Sequence, residues 1–337
     1  MKAVMLEAPG KVTIHEVPEP TPSPGEVLLH VRMVGLCGSD LNSYRGKNPM
    51  VTYPRIPGHE VAATIVKGIP DWPNLQPGMD VTLSPYTSCN QCAACRNQRP
   101  NACLFNQTLG VQRDGALAEF IAVAPEKVYP ANLSIKELCL VEPLTVGFHA
   151  VARGRVSSQD TVAVFGCGGV GLGAIAASGF CGARTIAIDV DEEKLSIARQ
   201  SGATDTIHTK RESLHARLLE CTGGRGPDVV VEAIGLPDTF RAAVEEVAFT
   251  GRVVYIGYAK EPVSYETHLF VQKELDILGS RNALPPDFFR VISMLEARKF
   301  PIDQAVSSIV GFDDTPEILR RWDKNPGQFT KIMVQVS

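Results

Sequence analysis

Short apolar runs separated by glycine- and proline-rich turns fill the first third of the chain. The runs KAVML, EVLLHVRMVG, VAATIV, DVTLS and AEFIAV have the length and the branched side chains of strands. Between residues 86 and 108 this pattern stops, and the segment contains polar residues and cysteines without periodicity. A long irregular segment inside a compact domain needs a cross-link or a bound ion to order it. The pattern therefore predicts a β-rich first region with one externally ordered loop.

A different period begins near residue 135. Residues 135–153 have a helical pattern that we expect Pro143 to interrupt. Strands are then predicted over 161–165, 185–189, 204–207, 228–233, 252–257 and 275–280, and helices over 170–181, 191–201, 211–221 and 238–248. Six strands that alternate with helices indicate a parallel sheet of the doubly wound, dinucleotide-binding type. Residues 285–337 return to a mixed pattern and are expected to pack back on the first region.

Composition narrows the class of protein. A chain of 337 residues with 44% apolar residues favours two domains with real cores. The 33 basic and 37 acidic residues argue against a nucleic-acid partner, which requires a basic face. The sequence contains neither an apolar run of about 18 residues nor a signal-peptide pattern, so we expect a cytoplasmic protein with no membrane partner. In that reducing compartment, nine cysteines are more often metal ligands or catalytic groups than disulfides.

The segment FGCGGVG carries the spacing G-x-G-x-x-G directly after a predicted strand. In a dinucleotide fold, Gly166 would allow the tight turn and Gly168 would let the backbone approach a pyrophosphate. Gly171 would bring the helix that begins near Val170 close to the sheet, with its N-terminus facing the negative charge. A flavodoxin-like or methyltransferase sheet with a similar glycine turn is the alternative.

Asp189 ends the next predicted strand, 23 residues after Gly166. A carboxylate at this point accepts hydrogen bonds from the adenosine ribose and repels a 2′-phosphate, so NAD is favoured over NADP. Lys194 could cover the adenine or the ribose, although a solvated helix face would look the same in the sequence.

Four cysteines in the irregular loop follow the spacing C-x2-C-x2-C-x7-C, at Cys89, Cys92, Cys95 and Cys103. Four thiolates over so short a loop can enclose one tetrahedral Zn²⁺ without an open position, and the bound ion would order the loop. A C-x-x-C redox pair and an iron–sulfur site are the alternatives. The redox pair is disfavoured because such pairs begin a helix in a thioredoxin-like unit.

A second set of potential ligands is dispersed along the chain. Cys37 lies in GLCGSD, His59 and Glu60 lie in PGHE, and Glu142 lies in VEPL. Each residue alone is better explained as ordinary core. Together they offer a thiolate, an imidazole and carboxylates, which can hold Zn²⁺ and leave one position open. An open zinc beside NAD is the combination that alcohol oxidation requires.

In their order and intervals, the motifs GLCGSD, PGHE, CNQCAACRNQRPNAC, DGALAEF, VEPL and FGCGGVG resemble those of the zinc-dependent medium-chain alcohol dehydrogenase family. The resemblance is greatest to its polyol and sugar-acid branch, which includes sorbitol dehydrogenase, and GSRNALPPDF resembles the bacterial starvation-sensing and L-galactonate dehydrogenase group. It implies a GroES-like catalytic domain over 1–145 with a zinc lobe over 86–108. A Rossmann domain over 146–284 and a segment over 285–337 that completes the catalytic domain would follow.

The resemblance also implies roles for individual residues. Cys37, His59 and Glu60 would bind the catalytic zinc, while Glu142 would reach that zinc through water or contact the substrate. Ser39 would pass on the proton of the substrate alcohol. Arg281 would contact a polyhydroxylated substrate, for which a guanidinium fork is suited. The positions expected beside the nicotinamide are Ile256, Gly257 and Ser280.

Three positions depart from the family pattern. Asn42 stands where a histidine often ends the proton relay, so water is expected to replace it. Ser43 stands where sorbitol dehydrogenase has a tyrosine that contacts the substrate, which weakens the case for sorbitol itself. Ala63 replaces the last glycine of GHExxG, which we interpret as a minor packing change.

The expected protein is therefore an NAD-dependent enzyme with two zinc ions per chain, one catalytic and one structural. It would oxidise a secondary alcohol of a polyol or sugar acid to a ketone and would form a homodimer or homotetramer. An L-threonine 3-dehydrogenase-like enzyme on the same scaffold is the first alternative. A non-catalytic NAD-sensing zinc protein is a remote one, because no basic recognition face is evident. A zinc-free quinone reductase would be excluded if Cys37 and His59 bind metal.

Overall fold

The computed structural model describes residues 1–337, which form two compact units. The first unit comprises Met1–Glu142 and Ile302–Ser337, and the second comprises Pro143–Pro301. The sequence-based boundaries lie at 145 and 284 instead. The second junction falls later because helix 285–296 buries Phe288, Val291 and Leu295, and because its Asp287 accepts a hydrogen bond from His149 of the same unit.

The first unit is mainly β-structure. Its strands are β1 (Lys2–Ala8), β2 (Lys11–Glu16), β3 (Val27–Leu36), β4 (Glu60–Lys67), β5 (Asp80–Leu83), β6 (Phe120–Val123), β7 (Val128–Pro130), β14 (Ser308–Gly311) and β15 (Ile332–Gln335). Its helices are α1 (Gly38–Tyr44), α2 (Ala93–Arg96), α10 (Ile302–Ala305), α11 (Thr315–Lys324) and the first part of α3 (Ile135–Arg153).

The main sheet of the first unit runs in the order β14-β15-β3-β4-β5-β7, with β6 also paired to β3. Strand β3 is central, since it pairs antiparallel with β4, β6 and β15. Its alternate residues Val27, Leu29 and Val31 are fully buried, as the period of two in the sequence predicts. Residues 308–337 therefore add β14 and β15 to this sheet, next to β3. The C-terminal segment thus completes the first unit.

The second unit alternates strands with helices. Its strands are β8 (Thr161–Phe165), β9 (Arg184–Asp189), β10 (Asp205–His208), β11 (Val229–Glu232), β12 (Arg252–Tyr255) and β13 (Asp276–Gly279). Its helices are α4 (Gly169–Phe180), α5 (Glu192–Gln200), α6 (Leu214–Thr222), α7 (Pro237–Glu246), α8 (His268–Gln272) and α9 (Pro285–Glu296), with the second part of α3.

All neighbouring strands of this sheet are parallel, in the order β10-β9-β8-β11-β12-β13. This is the doubly wound order, whose direction reverses beside β8, and ligands bind at the carboxyl ends of the strands at that reversal. The predicted architecture, a β-rich domain plus a doubly wound parallel sheet, is confirmed.

The expected interruption of the helix at Pro143 was wrong, because α3 runs continuously from Ile135 to Arg153. Proline removes one hydrogen bond and strains the preceding turn. Leu138 and Val141 before it and Leu144 and Phe148 after it are all buried, and this packing holds both halves of the helix. No helix in the protein has the length and apolar character that a membrane span requires.

Candidate active site and cofactor loop

Three potential metal ligands come together where β3 ends and β4 begins. Cys37 follows β3 as the N-cap of α1, and the antiparallel register places Glu60 opposite Gly35. The ligand atoms of Cys37, His59 and Glu60 all lie within 4.8 Å of one another. A methyl group on Gly35 would coincide with the Glu60 carboxylate, so glycine is required there. One thiolate, one imidazole and one carboxylate at this spacing fit a zinc ion with an open position.

Asp40 supports this cluster, although the sequence analysis did not single it out. Its carboxylate is 1% exposed and accepts hydrogen bonds from the backbone N–H groups of Cys37 at 2.8 Å and Gly58 at 3.3 Å. Asp40 Oδ1 also lies 3.8 Å from Nδ1 of His59. At this distance the two atoms are not hydrogen-bonded, so Asp40 acts on the ring through its charge. Burial alone would lower the pKa of His59, but Asp40 and then Cys37 raise it well above its ordinary value.

A second supporting residue is Lys331, immediately before β15. Its Nζ lies 2.7 Å from both carboxylate oxygens of Glu60 and 3.3 Å from the Leu36 carbonyl oxygen. Both side chains are buried. Burial would lower the pKa of Lys331, but the charge of Glu60 outweighs that effect and raises it. Lys331 therefore supplies the counter-charge that makes a buried Glu60 tolerable.

Glu142 is buried in α3 and lies outside the set of three clustered ligands. The hydroxyl of Tyr86, also buried, donates a hydrogen bond to Glu142 Oε1. Burial raises the pKa of Glu142 to about 7, and burial and the Glu142 charge raise the pKa of Tyr86 well above its ordinary value. The sequence analysis missed Tyr86, since only its position at the start of the cysteine lobe could have drawn attention to it.

Ser39, in the first turn of α1, lies with its hydroxyl 3.5 Å from Nε2 of His59. Ser43, one turn later, is fully buried and donates to the Ser39 carbonyl oxygen at 2.8 Å. Ser43 in turn accepts a hydrogen bond from Asn48 at 3.2 Å. The buried Ser43 hydroxyl thus braces the turn that carries Ser39.

The four cysteines of the loop form a second cluster, with Sγ atoms within 4.8 Å of one another. The Sγ–Sγ distances from Cys92 are 3.6 Å to Cys95 and 3.8 Å to Cys103. A tetrahedral zinc site with Zn–S bonds of about 2.3 Å requires about 3.8 Å between sulfurs. Backbone N–H groups of Cys95 and Leu104 lower the pKa of Cys92 to about 6, which favours the thiolate that zinc binds. The four thiols fit a closed zinc site.

The glycine loop connects β8 to α4 in the second unit. Gly166 has a φ of 95°, which other residues rarely adopt. Gly168 caps α4, and a methyl group there would meet no atom within 4 Å, so its surface is open. A methyl group on Gly171 would instead overlap the Gly166 carbonyl oxygen. Val170 lies in the first turn of α4. The loop has the tight turn, the open backbone and the helix N-terminus that a pyrophosphate requires.

Asp189 at the end of β9 is tied to this loop. Its Oδ2 accepts a hydrogen bond from the Cys167 N–H at 2.8 Å, and its Oδ1 accepts from Val190 and Asp191 at 2.7 and 3.1 Å. The carboxylate is therefore fixed beside the glycine turn, where a ribose would lie. Lys194 is half-buried in the first turn of α5.

The remaining predicted cofactor and substrate positions follow β12 and β13. Ile256 and Gly257 are half-buried, and both N–H groups donate to the carbonyl oxygen of Glu232. Ser280 is buried and donates its N–H to Tyr255, and Arg281 follows it half-buried.

Glu232 is fully buried and was missed in the sequence analysis. Its carboxylate accepts hydrogen bonds from Ile234, Gly235 and Thr239. It therefore organises the loop after β11, beside the carboxyl end of β12.

Two protein-family models match the chain. The alcohol dehydrogenase GroES-like domain matches residues 23–133, and the zinc-binding dehydrogenase domain matches residues 169–297. A zinc-type alcohol dehydrogenase-like protein of Haemophilus influenzae is 35% identical over 98% of both chains. The L-galactonate-5-dehydrogenase of Escherichia coli is 29% identical over 95% of both chains. The sorbitol dehydrogenase of Bacillus subtilis is 33% identical over 83% of this chain and 81% of its own.

Solved structures agree with these relatives. An E. coli alcohol dehydrogenase complexed with NADH has a TM-score of 0.91 and 28% identity, covering 100% of this chain and 99% of its own. A Sinorhizobium meliloti protein bound to NADP has a TM-score of 0.91 and 27% identity, covering 99% of both chains. With two domain models over most of its length and three potential metal ligands gathered between β3 and β4, the chain belongs to the zinc-type medium-chain alcohol dehydrogenases, oxidoreductases that act on CH–OH donors.

Proposed function

We propose that this enzyme oxidises a secondary hydroxyl of a polyol or sugar acid to a ketone, with NAD⁺ as the hydride acceptor. The observation that supports this most directly is the gathering of Cys37, His59 and Glu60 within 4.8 Å. When bound there, zinc supplies a Lewis acid that lets an alcohol lose its proton near neutral pH, and NAD⁺ takes the hydride. Relatives with L-galactonate and sorbitol in their names support the substrate class.

The chain's own residues handle the proton and the substrate. Ser39 accepts the hydroxyl proton of the substrate, and its nearness to His59 keeps it at the ligand cluster. Asn42 cannot carry the proton further, so the proton passes to water. Arg281 supplies a forked guanidinium for the carboxylate or neighbouring hydroxyls of the substrate, and Glu142 supplies an acceptor.

NAD rather than NADP is favoured by the charge around Asp189. Its carboxylate is anchored by three backbone N–H groups, so it cannot turn away from a 2′-phosphate. Asp191, Glu192 and Glu193 follow it and add further negative charge. Ile256, Gly257 and Ser280 form the nicotinamide side, and Lys194 covers the adenosine.

The second zinc belongs to the lobe over 86–108, bound by Cys89, Cys92, Cys95 and Cys103, which gives two zinc ions per chain. Because that site requires reduced thiols, it supports a cytoplasmic location. We also infer a homodimer or homotetramer. Strand β13 is an edge strand whose Ile277 is 42% exposed, and an unpaired edge is a template for a second copy.

The test is a substrate panel with purified, zinc-loaded enzyme, following the absorbance of reduced cofactor. Polyols, hexonates and L-threonine are offered with NAD⁺ and with NADP⁺. Oxidation of a polyol or hexonate with NAD⁺ supports the proposal, whereas activity on L-threonine alone supports the 3-dehydrogenase alternative. No turnover at all, together with one zinc per chain, would support the non-catalytic sensor.

Cys37→Ser separates a catalytic from a structural role for the first cluster. We expect turnover to fall at least about a hundredfold, while NADH binding is retained. Cys181→Ser is the matched control, since Cys181 lies outside both ligand clusters. Loss of cofactor binding and of the folded state in Cys37→Ser alone would assign that cysteine to structure.

A further inference from the structure

A buried phenol and a buried carboxylate are paired in the first unit. Tyr86, the first residue of the lobe over 86–108, is 6% exposed and donates its hydroxyl hydrogen to Oε1 of Glu142, which is 3% exposed. Burying two polar side chains in one contact is costly unless each satisfies the other. The pair is therefore a built feature of the unit that carries the first ligand cluster.

Glu142 is near that cluster without belonging to it. Cys139, one turn before Glu142 on α3, donates its thiol hydrogen to the carbonyl oxygen of Glu60 at 3.5 Å, which places this turn of the helix beside the cluster. The Glu142 carboxylate is nevertheless not among the ligand atoms gathered within 4.8 Å. A carboxylate in this position has two uses: it can reach the metal through a water molecule, or it can accept a hydrogen bond from the substrate. A carboxylate has about four lone-pair sites, so one that accepts a hydrogen bond from a phenol can also accept one from a substrate hydroxyl.

We propose that Tyr86 is a specificity-determining positioning residue, which holds the Glu142 carboxylate as the acceptor for the substrate hydroxyl next to the one that is oxidised. This inference rests on the proposed function, because it assigns a second hydroxyl of a polyol or sugar acid to a named acceptor. A site built to accept a hydroxyl discriminates against the analogue that lacks it, because a buried polar group is then left unsatisfied.

The test compares the best substrate of the panel with its deoxy analogue, which lacks the neighbouring hydroxyl. The measured quantity is kcat/KM for the full substrate divided by kcat/KM for its deoxy analogue. It is determined for wild type, Tyr86→Phe and Glu142→Gln. Tyr129→Phe is the control, since Tyr129 is a 5% exposed tyrosine on β7 of the same unit. Each variant is also loaded with Co²⁺ in place of zinc, and its visible absorption spectrum is recorded.

In Tyr86→Phe, we expect the ratio to fall about tenfold, as loss of one charge-assisted contact implies, while Tyr129→Phe keeps the wild-type ratio. The Co²⁺ spectrum of Tyr86→Phe should match that of wild type, because the metal ligands are unchanged. Glu142→Gln should lower the ratio in the same direction and provides the answer if Tyr86→Phe does not fold.

An unchanged ratio in the folded variants would overturn the inference. An equal loss on both compounds with a shifted Co²⁺ spectrum would also overturn it, since Glu142 would then act on the metal. A wild-type enzyme that oxidises no alcohol would contradict the proposed function itself. An active wild type with an unchanged ratio in Tyr86→Phe would contradict only the role of Tyr86.

Discussion

The ammonium group of Lys331 contacts both carboxylate oxygens of Glu60 at 2.7 Å, although 271 positions separate the two residues in the sequence. Glu60 is at once a candidate metal ligand and one half of a buried ion pair. The negative charge of Glu60 would therefore interact with both Lys331 and a metal ion bound by the cluster. The interaction with Lys331 reduces the net charge that Glu60 would present to a metal.

Lys331→Met should destabilise the metal-free protein by about 3–5 kcal/mol, because it leaves Glu60 buried without a counter-charge. Thermal unfolding of the metal-free protein measures this loss. Lys136→Met is the control, since Lys136 pairs at the surface with Asp303, and it should cost about 1 kcal/mol or less. Equal melting temperatures for wild type and Lys331→Met would show that the pair contributes nothing.

Stability of the metal-free protein should fall as pH rises through neutrality. Burial raises the pKa of Glu142 from an ordinary value of 4.5 to about 7, so folding favours the protonated acid. The contribution of Glu142 to the free energy of unfolding is fully present below its pKa in the unfolded chain. It is lost as pH rises through its pKa in the folded protein. Melting temperatures between about pH 5 and pH 8 measure the loss, which Glu142→Gln should reduce and the exposed Glu126→Gln should leave unchanged.

Cys103→Ser should lower the zinc content of the purified protein by about half, because it removes one of four ligands of a closed site. The loop over 86–108 should then become sensitive to limited proteolysis, since metal binding supplies its folding energy. Metal analysis and peptide mapping provide the measurement. Cys181→Ser should retain both the zinc and the protease resistance, and a Cys103→Ser protein with full zinc content would refute the site.

Asp189→Asn should weaken NADH binding about tenfold, because a charge-assisted contact to the ribose is lost. The affinity for NADPH relative to NADH should rise, because the repulsion of a 2′-phosphate is removed. Titration of cofactor fluorescence measures both constants. Asp205→Asn, on the neighbouring strand β10, is the control that should leave the preference unchanged. If Asp189→Asn kept the wild-type preference, another residue would determine it.

Local spacing made much of the molecule predictable. Alternating strand and helix periods placed the six strands of the second sheet within a few residues, and the C-x2-C-x2-C-x7-C spacing predicted four thiols that the structure gathers. These features are readable because each depends on neighbours in the chain. The candidate ligands Cys37, His59 and Glu60 are farther apart in the sequence, and only the antiparallel pairing of β3 with β4 brings them together.

The supporting residues could not be predicted from the sequence. Lys331, Tyr86 and Glu232 lie in segments without any motif, and a lone lysine, tyrosine or glutamate is usually a surface or core residue. Their importance depends on tertiary contacts with residues of other elements. Pro143 shows the converse, since a strong local signal for a helix break was overridden by apolar packing on both sides.

The position of Lys331 in the chain has a consequence for biosynthesis. The ribosome completes all of Pro143–Pro301, a continuous unit, before it adds the lysine that neutralises Glu60. Because domains fold as units during synthesis, the second unit can fold first while the first unit still lacks β14 and β15. In the nascent chain, Glu60 thus lacks its counter-charge until the whole second unit and the start of β15 have been synthesised.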